Sequence, residues 1–183
     1  MGVMNFEKPM EQAFRYCPRC GTPGEGCGEI PFRCEQCGFA FFFGPVTAVG
    51  GILWNDQGEV LLIRRARNPG AGLYGMPGGF VDQNETAQEA LRRETAEEVG
   101  LAIETIEFLT TLPNRYTYEG LTTAVLDIFF TCYVPSFDGV QIHPDEVSGT
   151  WIGTPSAEQW DQMAFHSNRM ALIEFMRKRK SFR

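Results

Sequence analysis

The stretch "GFVDQNETAQEALRRETAEEVGL", residues 79–101, carries five glutamates and one aspartate in 23 residues. Its spacing predicts a helix from roughly Glu85 to Val99, stopped by Gly100. Glu94, Glu97 and Glu98 then fall within about one helical turn. Like charges four apart repel, and acids are disfavoured at the negative C-terminal end of a helix. At about 100° per residue, Glu98 lies roughly 40° to one side of Glu94 and Glu97 roughly 60° to the other, so all three open onto one sector. Ala87 and Ala90 share that sector and leave space beside the carboxylates. Leu91, Thr95 and Val99 repeat every four residues on the adjoining face, which packs on a core. Arg93 is placed to reach Glu97 at i+4 and Glu89 at i−4. A solvated charged face usually mixes signs, whereas this sector is acidic with alanines beside it. A hard divalent cation accounts for the crowding, because Mg²⁺ takes carboxylate oxygens and keeps waters and substrate phosphates as its other ligands.

Working outward, "RNPGAGLYGMPGGFVD" before the helix is a glycine- and proline-rich loop. Ahead of it "VTAVGGILW" and "EVLLIRR" read as strands joined by the turn "NDQG". After the helix come a strand near 103–112, a loop "PNRYTYEG", a long strand "LTTAVLDIFFTCYV" and a short strand near "GTWI". Two helices close the chain, one opening near Pro155 or Ser156 and one after Ser167. Strands flanked by helices predict an α/β domain with layered packing, over residues 45–183. Residues 1–13 read as a polar tail, and residues 14–44 hold five of the six cysteines with aromatic flanks. Residues 1–44 therefore form the N-terminal tail and a small module of their own.

The chain of 183 residues has a formal charge of −7. That balance argues against a broad surface for long nucleic acids. It leaves room for a nucleotide, since a divalent ion can screen a few acids locally. The most apolar stretch, "FAFFFGPVTAVGGILW", is broken by Gly44, Pro45, Gly50 and Gly51 and reads as two strands rather than a membrane helix. The start "MGVMNFEKPMEQ" has no signal-peptide core, so the cytoplasm is expected, where the thiols stay reduced.

"CPRC" (Cys17, Cys20) and "CEQC" (Cys34, Cys37) lie 13 residues apart, each followed by a glycine, Gly21 and Gly38. A C-x-x-C-G turn brings two thiolates to one ion, and two such turns supply the tetrahedral set of a structural zinc. A disulfide pair or four unrelated thiols are the alternatives. Cys27, in "GEGCGE", reads as a spare loop thiol or a substitute ligand. Cys132, in a strand, reads as core.

The helix and its flanks resemble the Nudix box, G-x5-E-x7-R-E-U-x-E-E-x-G-U, where U is bulky and apolar. Gly79, Glu85, Arg93, Glu94, Glu97, Glu98, Gly100 and Leu101 occupy its positions, and Thr95 stands at the first U. The resemblance spans about 45–183 and implies a Nudix α/β/α sandwich with a mixed sheet, preceded by a small zinc-ribbon module. It implies Glu94 and Glu98 as Mg²⁺ (or Mn²⁺) ligands, assisted by Glu97 and the Gly78 carbonyl. Arg93 orients the carboxylates, and Glu85 is an ion-pair residue or sits behind the ligands. The general base varies in the family: a box glutamate, or a later acid such as Asp145 or Glu146, with Glu146 preferred. A four-cysteine ribbon ahead of the box is similar to the NADH pyrophosphatase and ADP-ribose pyrophosphatase branch, although the S-Q-P-W-P-F-P array of NADH pyrophosphatases is missing. In its place stands "LPNRYTYEGLTT", where Asn114, Tyr116 and Tyr118 alternate and would present two rings to a base. Surface aromatics on a loop are the plainer alternative. Arg64 and Arg65 either reach phosphate or are solvated. The expected activity is Mg²⁺-dependent cleavage of a nucleoside diphosphate linked to another moiety, of the NADH or ADP-ribose kind. The alternatives are a MutT-like triphosphate pyrophosphohydrolase and a nucleotide-sensing regulator. A homodimer is one assembly the sequence leaves open.

Overall fold

The computed structural model describes residues 8–180. The chain divides into two compact units. The smaller comprises the chain to Val46 together with Arg115–Val125, and the larger comprises Thr47–Asn114 and the chain from Leu126 onward. Of the expected polar tail, residues 1–7 lie outside the described residues.

In the smaller unit, strand β1 (Lys8–Pro9) leads into a 3-10 turn (Met10–Ala13), and β2 (Phe32–Arg33) pairs antiparallel with β3 (Ala40–Phe41). These pieces are too short to bury much by themselves. Their core is Cys17, Phe32 and Cys34, packed by Phe14, Cys37, Phe39 and Phe43. The Phe14 and Phe43 rings meet edge to face at 4.7 Å. Such a core falls far below what a unit of this size needs without a staple.

The larger unit is built on strands buried on both faces. β4 (Val46–Trp54) and β5 (Val60–Arg65) form a hairpin in which Leu53 faces Leu61 and Trp54 faces Val60. β6 (Tyr74–Gly75) and β9 (Val147–Gly153) both pair antiparallel with β5. Helix α1 (Ala87–Val99) precedes two long strands, β7 (Thr105–Tyr118) and β8 (Leu121–Tyr133), and β8 lies beside β4. Because side chains alternate along a strand, Leu61 and Ile63 enter one apolar layer with Leu91 and Val99 of α1, while Val60 and Leu62 enter another with Leu172 and Phe175. The latter two belong to α3 (His166–Lys180), which follows the short α2 (Ala157–Asp161). Two helical layers on a mixed sheet match the expected sandwich.

Two elements depart from the sequence reading. "PNRYTYEG" is not a loop: β7 runs through it to Tyr118, and only Glu119 and Gly120, both at positive φ, turn the chain into β8. The two-residue turn with both residues left-handed suits a hairpin. That hairpin crosses from the larger unit into the smaller, so Asn114 belongs to one and Tyr116 and Tyr118 to the other. Helix α3 begins at His166, one residue ahead of Ser167. Among the described residues no helix is long and apolar enough to cross a membrane.

Candidate active site

Helix α1 starts at Ala87, two residues later than its acids suggest. Thr86 is the N-cap, its side chain accepting from Glu89 N at 3.2 Å, and the Glu89 carboxylate closes the capping box on Thr86 N at 2.8 Å. Glu89, expected to meet Arg93, is thereby used locally. Gly100 ends the helix in the left-handed conformation, with φ 70°. Leu91, Thr95 and Val99 are fully buried, as their spacing requires. Ala90 is buried with them in the α1 core layer and Ala87 packs against that layer, so these alanines serve packing rather than opening space beside the acids.

The arginine of the box is the hub. Arg93 meets Glu85 at 2.7 Å, Glu94 at 2.9 Å and Glu97 at 3.2 Å, and donates to the Phe80 carbonyl at 3.3 Å. Glu85 also accepts from Asp82 N at 2.7 Å. The Arg93 guanidinium, joined by that N–H, holds the Glu85 carboxyl below its usual range. A planar five-donor fork thus ties the loop before the helix to the acids on it.

Glu94 and Glu98 turn inward. Glu98 is 7% exposed and accepts from Gly78 N at 2.9 Å. Burial pushes its carboxyl up to about 8, the Gly78 N–H opposes this, and the charges of Glu94 and Glu146 add to it. Burial likewise raises Glu94, against the pull of Arg93, and Glu97 and Glu146 again add to the rise. Two glycines make the approach possible. Gly78 sits at φ 144°, where a Cβ would lie 2.1 Å from the Val49 carbonyl oxygen, and a Cβ on Gly79 would lie 2.4 Å from Glu94 Oε1. The loop that carries them is fixed to β4 by Gly51 N donating to Pro77 O and Val49 N to Gly79 O.

Glu146 comes from the turn before β9, where its N–H donates to His143 O and its carbonyl accepts from Ala66 N. Its neighbour Asp145 is turned to Arg67, 3.8 Å away. Of the two later acids, Glu146 is the one whose charge bears on Glu94 and Glu98. Neither Arg64 nor Arg65 is simply solvated. Arg64 donates to Gly72 O and the Tyr74 hydroxyl, each at 2.8 Å, and lies over the Tyr74 ring. Arg65 donates to Pro69 O, lies 5.1 Å from the Phe165 ring centroid, and its charge favours ionised Glu98. Tyr118 is 64% exposed on the smaller unit.

Glu94 and Glu98, whose proton affinity burial and the neighbouring acids raise, with backbone packed against them, form a donor set that a hard divalent cation fits. The NUDIX domain family profile matches residues 44–172. The chain belongs to the Nudix family.

Among its Nudix relatives is an ADP-ribose pyrophosphatase of Methanocaldococcus jannaschii, 44% identical over 63 residues, 34% of this chain and 37% of the relative. An NAD-capped RNA hydrolase NudC of Chromobacterium violaceum is 25% identical over 133 residues, 72% of this chain and 46% of the relative. The matches thus span less than half the length of these curated relatives. The NUDIX domain of Shewanella oneidensis NrtR, solved as a complex with ADP ribose, superposes with a TM-score of 0.59 at 27% identity, covering 75% of this chain and 90% of that one.

The smaller unit brings Cys17, Cys20, Cys34 and Cys37 together, their sulfurs all within 4.8 Å of one another. Two equivalent turns do this. Gly21 N donates to Cys17 O and Gly38 N to Cys34 O, each at 2.9 Å with φ near 70°. The sulfurs of Cys17 and Cys37, and of Cys20 and Cys34, are 3.7 Å apart. A disulfide needs about 2.05 Å. A tetrahedron with metal–sulfur bonds of about 2.3 Å has edges of about 3.8 Å, so the cluster fits a four-thiolate ion. Hydrogen bonding with Thr22, side chain first and backbone second, lowers the Cys20 thiol to about 6, which readies it as a ligand. Cys27 lies apart, its thiol turned to the Gln12 carbonyl, and Cys132 is fully buried in the larger unit.

Proposed function

We propose that the chain is a divalent-metal-dependent pyrophosphohydrolase that splits a nucleoside diphosphate linked to another moiety, of the ADP-ribose or NADH kind, into mononucleotide products. The observation that carries the reading is the convergence of Glu94, Glu98 and Glu146 beside an Arg93-fixed loop. The names of the relatives and the ADP ribose bound to one structural neighbour support the substrate class.

Glu94 and Glu98 would hold Mg²⁺ or Mn²⁺, with Glu97 and the Gly78 carbonyl assisting. Such an ion neutralises the phosphate oxygens and lowers the barrier to water attack. Arg93 holds the carboxylates in place. Glu146 takes the proton of the attacking water as its oxygen bonds to phosphorus and the bridging P–O bond breaks. The proton then passes to the leaving phosphate. Tyr116 and Tyr118 offer rings to a base. Arg64 and Arg65 have donors left for phosphate beyond those used within the fold. Cys17, Cys20, Cys34 and Cys37 hold a structural zinc with no open position. We place the protein in the cytoplasm, as a homodimer acting on small nucleotides rather than on membranes or long nucleic acid.

The test is a panel of ADP-ribose, NADH, diadenosine polyphosphates, FAD and nucleoside triphosphates with Mg²⁺, products resolved by chromatography. Release of AMP from ADP-ribose or NADH is the expected result. Turnover of triphosphates alone, with pyrophosphate released, would replace this reading with the MutT-like one. Tyr118→Ala should raise KM for the dinucleotide with little change in kcat.

A further inference from the structure

The ladder between β5 and β9 changes register between Arg64 and Arg65. Leu62 faces Trp151, Ile63 faces Thr150 and Arg64 faces Gly149, but Arg65 faces Val147. Ser148 is therefore an extra residue on β9, a one-residue bulge. Its hydroxyl donates to the Arg64 and Arg65 carbonyls, at 3.3 Å and 3.5 Å, and so braces the step from across the ladder.

The bulge changes which face the chain presents. Side chains alternate along a strand, so in a regular ladder Val147 would share a face with Gly149 and Trp151. Trp151 packs with Leu62 in the α3 layer, whereas Val147 is fully buried in the α1 layer. One inserted residue accounts for the switch. The same step brings the turn ahead of Val147 onto the end of α1. Glu146 N and Val147 N both donate to His143 O, His143 N donates to Glu98 O at 3.0 Å, and Gln141 N donates to Val99 O at 2.9 Å. On the other side Ala66 N donates to Glu146 O at 2.9 Å, which continues the shifted register. Glu146 is thus held between the end of β5 and the helical turn that carries Glu98, and its charge bears on Glu94 and Glu98. A regular ladder would draw this turn back by one residue, about 3.4 Å along the strand, and would send Val147 into the wrong layer.

We propose that Ser148 is a positioning residue: the bulge it forms, pinned by its hydroxyl, sets Glu146 against the carboxylates of α1, where it can take the proton of the attacking water. This rests on the hydrolase reading above, with Glu146 as the base, and goes beyond it by naming what fixes the base in place. Ser148 acts through Glu146 and not on the substrate. Its effect therefore depends on Glu146 being present, which a bulge that served only the stability of the sheet would not require.

The experiment is a double-mutant cycle between Ser148 and Glu146 on ADP-ribose, in the metal-loaded full chain, with hydrogen exchange of the Gln141 and His143 amides measured alongside. Deleting Ser148 should restore the regular ladder and lower kcat roughly a hundredfold, the scale of losing a base, with KM nearly constant. In a Glu146→Gln background the deletion should cost nothing more, because the group it displaces is already gone. Ser148→Ala should lower kcat about fivefold, the worth of one ordinary hydrogen bond, and Ser148→Thr, which keeps the hydroxyl, should recover it. The Gln141 and His143 amides should be protected in the wild type and exchange freely after the deletion. Should the deletion fail to fold, Ser148→Ala carries the same cycle. Unchanged kcat in either variant, or a loss that repeats in full in the Glu146→Gln background, overturns the proposal. Absence of hydrolysis in the wild type would refute the enzymatic reading alone. The two amides then decide whether the bulge places the turn, and protection that survives the deletion overturns it.

Discussion

The four-cysteine cluster and the carboxylate cluster are both candidate metal sites, and they are built by opposite means. Each cysteine pair is set by one tight turn, whose hydrogen bonds span only four residues, Gly21 to Cys17 and Gly38 to Cys34. The acids are set at long range: Gly78 bonds Glu98 across 20 residues, and Glu146 arrives from beyond β8. The cysteine site has four soft donors and no vacancy, so it can only hold. A hard cation held by two or three carboxylates would keep positions for water and phosphate, so such a site could act. A local site is cheap to specify but has little apolar core beneath it, whereas the distributed site rests on two buried layers.

The largest effect is expected from removing the ion proposed for the four thiolates. Among the described residues the core cluster around the cysteines has only three buried members, and structural zinc contributes about 10 kcal/mol or more in small modules. Elemental analysis should find about one zinc per chain, and Cys34→Ser or strong chelation should remove it and open residues 14–44 to proteolysis. Cys27→Ser should leave the zinc in place. A zinc-free protein that resists proteolysis there would break the contrast between a stapled unit and a self-supporting one.

Next in size is the loss of chemistry at the distributed site. Glu98→Gln should lower kcat by roughly 10³ or more, about 4 kcal/mol, because an ionic ligand is replaced by a neutral one. Zinc content should not change. Glu146→Gln, measured in parallel, should cost kcat without weakening Mn²⁺ binding as Glu98→Gln does. Near-normal turnover by Glu98→Gln would place the ion on other residues.

Stability against pH separates the sites further. Glu98 titrates in the fold at about 8 against an ordinary value of 4.5. A folded value raised above the unfolded one makes stability greatest below about 4.5 and erodes it as pH rises toward about 8. Other acids that prefer ionisation, such as Glu85, work against this at the acid end. The metal-free protein should therefore lose a few kcal/mol, at most about 4, between pH 5 and 8. Mg²⁺ should restore it, and Glu98→Gln should flatten the slope in thermal melts. A slope equal in wild type and variant would mean Glu98 is not the titrating group.

How much could be read in advance follows from the same contrast. Both cysteine turns, the helix, its Gly100 stop and the buried Leu91, Thr95, Val99 stripe were legible because each depends on neighbours within one or two turns of chain. Glu89 was misread, since a capping box and an i+4 ion pair compete for one carboxylate and the box won. The alanines were misread because a wheel does not say where the core boundary lies. The end of β7, residues 113–118, was read as loop because Pro113, Asn114 and Gly120 are loop residues by habit.

The smallest effect tests the packing under the acids. Thr95 stands where the box usually has a bulky apolar residue, and it is fully buried with its hydroxyl unpaired. Val has nearly the same shape without the hydroxyl, so Thr95→Val removes an unpaired polar atom and opens no cavity. It should stabilise the larger unit by about 1 kcal/mol, read as a rise of a few degrees in its melting transition. Side chains next to Thr95 on the helix hold the acids, but Val fixes χ1 as Thr does, so Glu94 should keep its place and kcat should stay within about twofold. Zinc content and the proteolysis of residues 14–44 should not respond. A Thr95→Val protein that is less stable would show that the hydroxyl has a buried water for a partner, and that the distributed site is tied into its core by a polar contact as well as by apolar packing.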